Sequence, residues 1–265
     1  TPSGEESVAR RAARGLVVAV EGVSGAGKSS LLRALGERPQ IRIVEEAWDR
    51  LRPRPSLSFG SPRALLGLEL RLLEEDRRRW KEAIAAASTG CDVLCDTDFL
   101  GPALYTAALA RADPSLVPVA LEIVRRTEAA RRQVRWGVAD LYVYLDTPPR
   151  IANSRVRKSS GSHPARWRER HAQAGAIERT FWLGWLPALL PGRVRVLDGR
   201  ASTAALVRRL RGQLEQVRST RRRPGGARVL RAVRRFVQTA AASELDRAIR
   251  RSGPKPPGSS RRKRL

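Results

Sequence analysis

Methionine is missing altogether from the 265 residues, and cysteine and histidine occur only twice each. Two cysteines build no disulfide framework, and Cys91 and Cys95 fall in what reads as a single strand. Strand rise would hold their Cα atoms about 13 Å apart, too far to bridge, so both read as small buried apolar residues. His163 and His171 have no third ligand at metal spacing, which excludes a zinc centre built on them. No apolar run approaches the roughly 18 residues that span a bilayer. Arg10, Arg11 and Arg14 stand before Leu16 to Val20, but this run is shorter than the ~7 residues of a minimal secretory core and ends in Glu21 and a glycine-rich loop. This stretch does not read as a signal peptide, and a cytoplasmic protein is expected. Opening at Thr1 with no methionine, the chain is expected to have a natural start upstream.

Acids are scarce too: 26 Asp and Glu stand against 52 Lys and Arg, a net charge of +26. From Gln216 to Leu265 sixteen bases face two acids, net +14, which leaves +12 for the first 215 residues. The excess is therefore concentrated in the tail, where it suits an anionic partner. In the body, the abundance of Arg, Ala, Gly and Pro is equally what a GC-rich coding sequence produces. The length, with 42% apolar residues, suits one domain of about 200 residues plus an appendage, enough chain for a full core.

Against these absences stands one specific motif. Gly22-Val23-Ser24-Gly25-Ala26-Gly27-Lys28-Ser29 fits G-x-x-x-x-G-K-[ST], between the apolar stretch Leu16 to Glu21 and the helix-forming stretch Ser30 to Leu35. A strand that turns sharply into a helix aims the loop N–H groups and the helix N-terminus at one anion. Gly22, Gly25 and Gly27 allow close approach of phosphate oxygens. Lys28 is placed to reach the β- and γ-phosphates, and the Ser29 hydroxyl to ligate Mg²⁺. The reading is of a nucleoside triphosphate site formed by residues 22 to 30, Ser30 included.

Strands and helices alternate along the rest. Strands are expected at Leu16 to Glu21, Ile41 to Glu45, Cys91 to Asp96, Leu141 to Leu145 and Arg193 to Leu197. Helices are expected at Lys28 to Leu35, Arg63 to Ala87, Pro102 to Ala112, Leu116 to Val134, from Pro148 to about Lys158, Gln173 to Leu189 and Thr203 to Val217. This is the pattern of an α/β domain with a five-stranded parallel sheet and helices on both faces. Ligands of such sheets bind beyond the carboxyl ends of the strands, where Glu21, Glu45, Glu46, Asp96, Asp98 and Asp146 fall. Asp96 has the placement of an aspartate that holds Mg²⁺. Glu45 or Glu46 could take a proton from an attacking hydroxyl, and Asp98 joins the same rim as a substrate contact. Asp146 reads as the cap of the helix at Pro148.

Residues from about Gly15 to Val217 resemble the thymidylate kinase and deoxynucleoside kinase branch of P-loop kinases. Val20-Glu21-Gly22 resembles the branch's E-G start, and Glu46-Ala47-Trp48 its E-P-x-x-W region without the proline. Asp96-Thr97-Asp98 to Tyr105-Thr106 runs parallel to D-R-Y-x-x-S-x-x-A-Y-Q, Asp140 to Pro149 resembles P-D-x-x-x-Y-L-D-x-x-P, Arg155-Val-Arg157-Lys158 stands where those kinases have R-x-R-K, and Leu197-Asp198-Gly199 resembles the strand beside the adenine. The resemblance implies a three-layer P-loop NTPase fold, with ATP or GTP and Mg²⁺ as cofactors and a phosphoryl transfer to a nucleoside, nucleotide or similar small acceptor. It implies Lys28, Glu46, Arg155 and Arg157 as catalytic, Glu46 being the general base. Ser29 and Asp96 would hold the metal, and Glu46, Arg77, Asp98 and Tyr105 the acceptor. Thr97 stands where the family has an arginine, which bears on the choice of acceptor.

The expected organisation is an N-terminal segment 1–14, a kinase-like domain 15–217 with a lid at about 159–172, a linker 218–227, a basic amphipathic helix 228–251 and a disordered tail 252–265. Arg166, Arg168 and Arg170 join Arg155 and Arg157 as cations of the lid segment. Val229, Leu230, Val233, Phe236 and Val237 share one helical face. That helix could dock on the domain, pair in a homodimer or lie on an anionic surface, docking being favoured. A second class of function remains, a non-catalytic NTP-binding regulator whose tail holds nucleic acid.

Overall fold

The computed structural model describes residues 14–53, 61–134, 138–159, 165–219 and 227–239. Five strands, β1 (Val17–Glu21), β2 (Ile41–Val44), β3 (Asp92–Asp96), β4 (Leu141–Asp146) and β5 (Val194–Asp198), form one sheet in the order β2-β3-β1-β4-β5. Every pairing is parallel. The expected five-stranded parallel α/β architecture is thus what the chain adopts. Between the strands lie α1 (Lys28–Gly36), α2 (Ala47–Arg50), α3 (Pro62–Ser88), α4 (Gly101–Ala112), α5 (Val117–Val134), α6 (Pro149–Ser159), α7 (Ala165–Thr180), α8 (Leu186–Leu189) and α9 (Thr203–Ser219). A further helix, α10, covers residues 227–239. Among the described residues no helix is long and apolar enough to cross a membrane.

Because strand side chains alternate between faces, each strand divides its residues between two layers. Val18 and Val20 of β1, Leu94 of β3 and Leu141, Val143 and Leu145 of β4 pack under α1 and α9 with Leu31, Leu35, Leu206 and Leu210. Ala19, Tyr142 and Tyr144 turn the other way, onto α4, α5, α7 and α10, and Val17, Val93 and Cys95 meet Leu73, Trp80 and Ala83 of α3. The parity continues to the strand ends. It puts Glu21 and Asp146 on the face shared with α4 and α7, and Asp96 on the face of α1.

Several local expectations shift. The lid segment is more helical than its polar composition suggested: α7 begins at Ala165, runs to Thr180 and passes through a π-turn, Phe181–Trp185, before α8. Pro149 rather than Pro148 leads α6, with the Pro148 carbonyl accepting from the N–H groups of Ile151 and Ala152. Only Cys95 is buried; Cys91 is half-buried. Residues 1–13, 220–226 and 240–265, which hold the N-terminal segment, most of the linker and the whole tail, lie outside the described residues.

The helix α10 packs Val229, Leu230, Val233, Phe236 and Val237 into the core against Phe181 and Trp185. Arg111 of α4 lies with its guanidinium 4.6 Å from the Phe236 ring centroid and donates to the Phe236 carbonyl at 3.1 Å. Since Phe236 is 1% exposed, Phe236→Ala is expected to lower stability by about 3 to 5 kcal/mol, measured by urea denaturation, with the unfolding remaining a single transition.

Candidate active site

The loop between β1 and α1 is built for an anion. Gly25 (φ 80°) and Gly27 (φ 102°) hold left-handed backbone, and a Cβ on Gly25 would stand 2.3 Å from the Ala152 carbonyl oxygen, so only glycine fits there. The first turn of α1 has no side-chain cap and no acidic residue, which leaves its N–H groups directed into the loop without a protein acceptor from either source. Lys28 curls back to donate to the Gly22 carbonyl at 3.0 Å, and the Ser29 hydroxyl donates to Asp96 Oδ2 at 3.3 Å. The other oxygen of Asp96, Oδ1, is buried with no hydrogen-bond partner.

Arg155 of α6 reaches over the loop from outside. It donates to the carbonyls of Gly25 and Ala26 at 3.3 and 3.2 Å and to Gly199 beyond β5 at 3.3 Å. It therefore ties the loop to the end of β5. Thr147 supports the same carbonyl of Ala26 at 3.2 Å. The side chains of Arg157, Arg166 and Arg168 lie outside the described residues, as does His163.

Carboxylates crowd the opposite wall. Glu46 caps α2 without a side-chain hydrogen bond to it. Burial pushes its carboxyl up to about 7 against the pull of Lys28, with Asp96 adding to the rise. Glu45 is exposed, so of the two candidates only Glu46 faces the loop. Burial would lower the Lys28 ammonium, but Asp96, Glu46 and Glu21 hold it above its ordinary value. Glu21 accepts from the Asp98 N–H, and burial followed by the Asp98 charge raises it well above the usual carboxylate range. Asp98, 3% exposed, accepts from its neighbour Phe99 at 2.7 Å and is pushed up to about 7 by burial.

Three residues that the sequence reading passed over belong to this wall. Arg79, fully buried, pairs with Asp76 and donates to the carbonyls of Asp96 and, at 3.3 Å, Thr97. Its guanidinium lies 5.1 Å from the Phe99 ring centroid. It thereby holds Thr97 at a left-handed φ of 65°, unusual for a β-branched residue and of the kind that clusters at functional sites. Arg77, the expected acceptor contact, is instead paired with Glu74 on its own helix at 2.8 Å. The helical period decides between them, for Asp76, Arg79 and Ala83 share the inward stripe of α3 while Arg77 faces out. Glu178 of α7 interacts electrostatically with Lys28 and Glu46, and burial pushes it up to about 7. Glu69 of α3, 2% exposed, is raised well above its ordinary value by burial and then by Asp76 and Glu178.

Tyr105 of α4 stands near Glu69, Glu178 and Arg170, its hydroxyl 3.5 Å from His171 Nδ1. His171, expected as an exposed lid residue, is thus half-buried against Tyr105. Asp146, expected as a helix cap, takes a bidentate contact from Arg179 of α7 at 2.8 Å, which ties α7 to the end of β4.

A pH dependence follows. Asp76, pushed by burial up to about 6 despite Arg79, and Asp98, Glu46 and Glu178 at about 7 bind protons in the folded state that the unfolded chain has already released. Groups raised on folding contribute stability that is fully present below their unfolded pKa and is lost as pH rises through the folded value. Stability of the ligand-free protein is therefore expected to fall by about 2 kcal/mol or more from about pH 5 to about pH 8. Denaturant titrations across that range measure it directly.

Comparison with functionally curated proteins gives no match. Among solved structures, deoxyadenosine kinase from M. mycoides with bound dATP superposes with a TM-score of 0.58 at 15% identity, over 76% of this chain and 99% of that one. The same enzyme with the products dCMP and a flexible dCDP bound gives 0.56 at 14% identity, over 76% and 100%. At these identities the likeness is one of fold, and it matches the P-loop kinase-like architecture that the residues implied. The sequence profile of the AAA domain family matches residues 17–179, a stretch that opens with the strand feeding the phosphate loop and closes at Arg179. With that profile covering more than half of its length, the chain belongs to the AAA domain family.

Proposed function

We propose that the protein is an ATP-dependent phosphotransferase whose acceptor is a small molecule bearing a hydroxyl group. The observation that carries this reading is the placement of Glu46, half-buried and with no hydrogen bond to its carboxylate among the described residues, on the wall facing Lys28 and the open helix N-terminus. A purely regulatory nucleotide site has no need of such a group. Kinase-like architecture in the solved deoxyadenosine kinases supports it.

The amides of residues 22–30 and the Lys28 ammonium grip the polyphosphate of ATP or GTP, Arg155 keeping the loop in shape from behind. Ser29 and Asp96 fit a divalent cation, for Asp96 Oδ1 is a buried oxygen lacking a donor, next to a hydroxyl already in contact with its twin. Mg²⁺ bound there supplies charge neutralisation to the phosphate oxygens. The acceptor oxygen forms a bond to the γ-phosphorus as the bond to the bridging oxygen breaks; the nucleoside diphosphate leaves and the hydroxyl proton passes to Glu46. A carboxyl held near 7 suits that exchange close to neutral pH. Asp98 acts by fixing Glu21 through its N–H, and Tyr105 with His171 borders the acceptor side. Arg157 remains a candidate for stabilising the transferring group.

Transfer from γ-labelled ATP to a panel of nucleosides, nucleotides and small alcohols is expected, and Lys28→Ala should abolish it. Glu46→Gln is expected to cut kcat by about 10² to 10⁴ while leaving ATP affinity unchanged. Tight ATP binding with no transfer to any acceptor would instead make the protein a nucleotide-dependent regulator.

A further inference from the structure

The chain carries a net charge of +26, yet the cleft in front of its phosphate loop is acidic. Glu21, Glu46 and Asp98 descend on it from the ends of β1, β2 and β3, and Glu178 closes from α7. Cations interacting with this wall are few and largely committed. Lys28 is held by the Gly22 carbonyl at 3.0 Å, and Arg79 is paired with Asp76 and two carbonyls. Among the described side chains, Arg170 approaches from the α7 side.

Glu69 decides what this means. It sits on the inward stripe of α3 between Leu65 and Leu73 and is 2% exposed. Among the described residues no hydrogen bond or ion pair holds its carboxylate, and its main electrostatic neighbours are two further acids, Asp76 and Glu178. Burying a carboxylate without a partner is costly, and a neutral side chain of the same shape would fill this position better. Glu69 and Glu178 both act on Tyr105, and Glu178 also acts on Lys28 and Glu46, so Glu178 stands between Glu69 and the phosphate loop.

We infer that the acceptor carries a positively charged nitrogen beside its hydroxyl group, the nitrogen lying between Glu69 and Glu178 and the hydroxyl at Glu46. The inference rests on the phosphotransferase reading and narrows its acceptor to amino alcohols, amino sugars or amino-substituted nucleosides. Nucleoside monophosphates are disfavoured, since their phosphate offers these buried carboxyl groups no cation to pair with.

Calorimetry on the full chain with matched pairs tests this: glucosamine against glucose, ethanolamine against ethylene glycol, and 3′-amino-3′-deoxyadenosine against adenosine, with AMP as the anionic control. At least one amine is expected to bind about tenfold or more tightly than its neutral partner, a preference that weakens with salt. Glu69→Gln and Glu178→Gln should each bring the ratio toward unity, Glu69→Gln without altering ATP affinity, and thermal unfolding of both variants reports that they remain folded. No amine outbinding its partner, AMP binding best, or a preference that survives in both variants would overturn the inference. Transfer from γ-labelled ATP, read in parallel, separates the two claims. An amine preference without any transfer sinks the phosphotransferase reading, whereas transfer that favours the neutral members sinks the cationic acceptor alone.

Discussion

Everything in this molecule is arranged around a stretch of backbone with unspent N–H groups. The turn from β1 into α1 leaves the helix N-terminus uncapped by side chains, bends through glycines at positive φ and sends Lys28 back over its own loop. Amides in that state favour an anion. The sheet order, with β1 between β3 and β4, sets Asp96 beside Ser29 on one side of the loop and the ends of β4 and β5 on the other. Arg155 and Thr147 then fix the loop by its carbonyls.

The second layer of design is a buried charge system that holds the end of β3. Arg79 spends its guanidinium on Asp76 and on the carbonyls of Asp96 and Thr97, and its position over Phe99 adds a cation–π contact. Such a group is costly to bury and is expensive to remove once its partners depend on it. Its return is geometric, because the chain can leave β3 with Thr97 in a strained conformation and still present Asp96 toward α1 and the Asp98 N–H toward Glu21. Asp96 and Glu21 are thus set on opposite faces of the sheet by strand parity and joined through one arginine.

How far the sequence carried the reading depended on whether the signal was local. The phosphate loop, the strands and the acids at their ends are set by short-range pattern, and the sheet took the expected form. The resemblance on Glu46 also led to the glutamate that faces Lys28. Arg79 was hidden in a run of three arginines, where only the stripe through Asp76, Trp80 and Ala83 tells which one turns inward. Glu69 lies on the same stripe and would have stood out as an acid at an apolar position. Glu178 lay inside the expected helix Gln173 to Leu189, where its place between buried Ala174 and Phe181 marks it as inward-facing. Asp146 and Arg179 meet across 33 residues, a contact no local pattern announces.

The account stands on the loop's grip on a polyphosphate, and binding of Mg²⁺-loaded ATP by calorimetry tests that most directly. Saturable one-to-one binding is expected, weakened by at least tenfold in Lys28→Ala with the folded state intact. Heats indistinguishable from dilution for the folded, unaltered protein, with ATP and GTP alike, would contradict it.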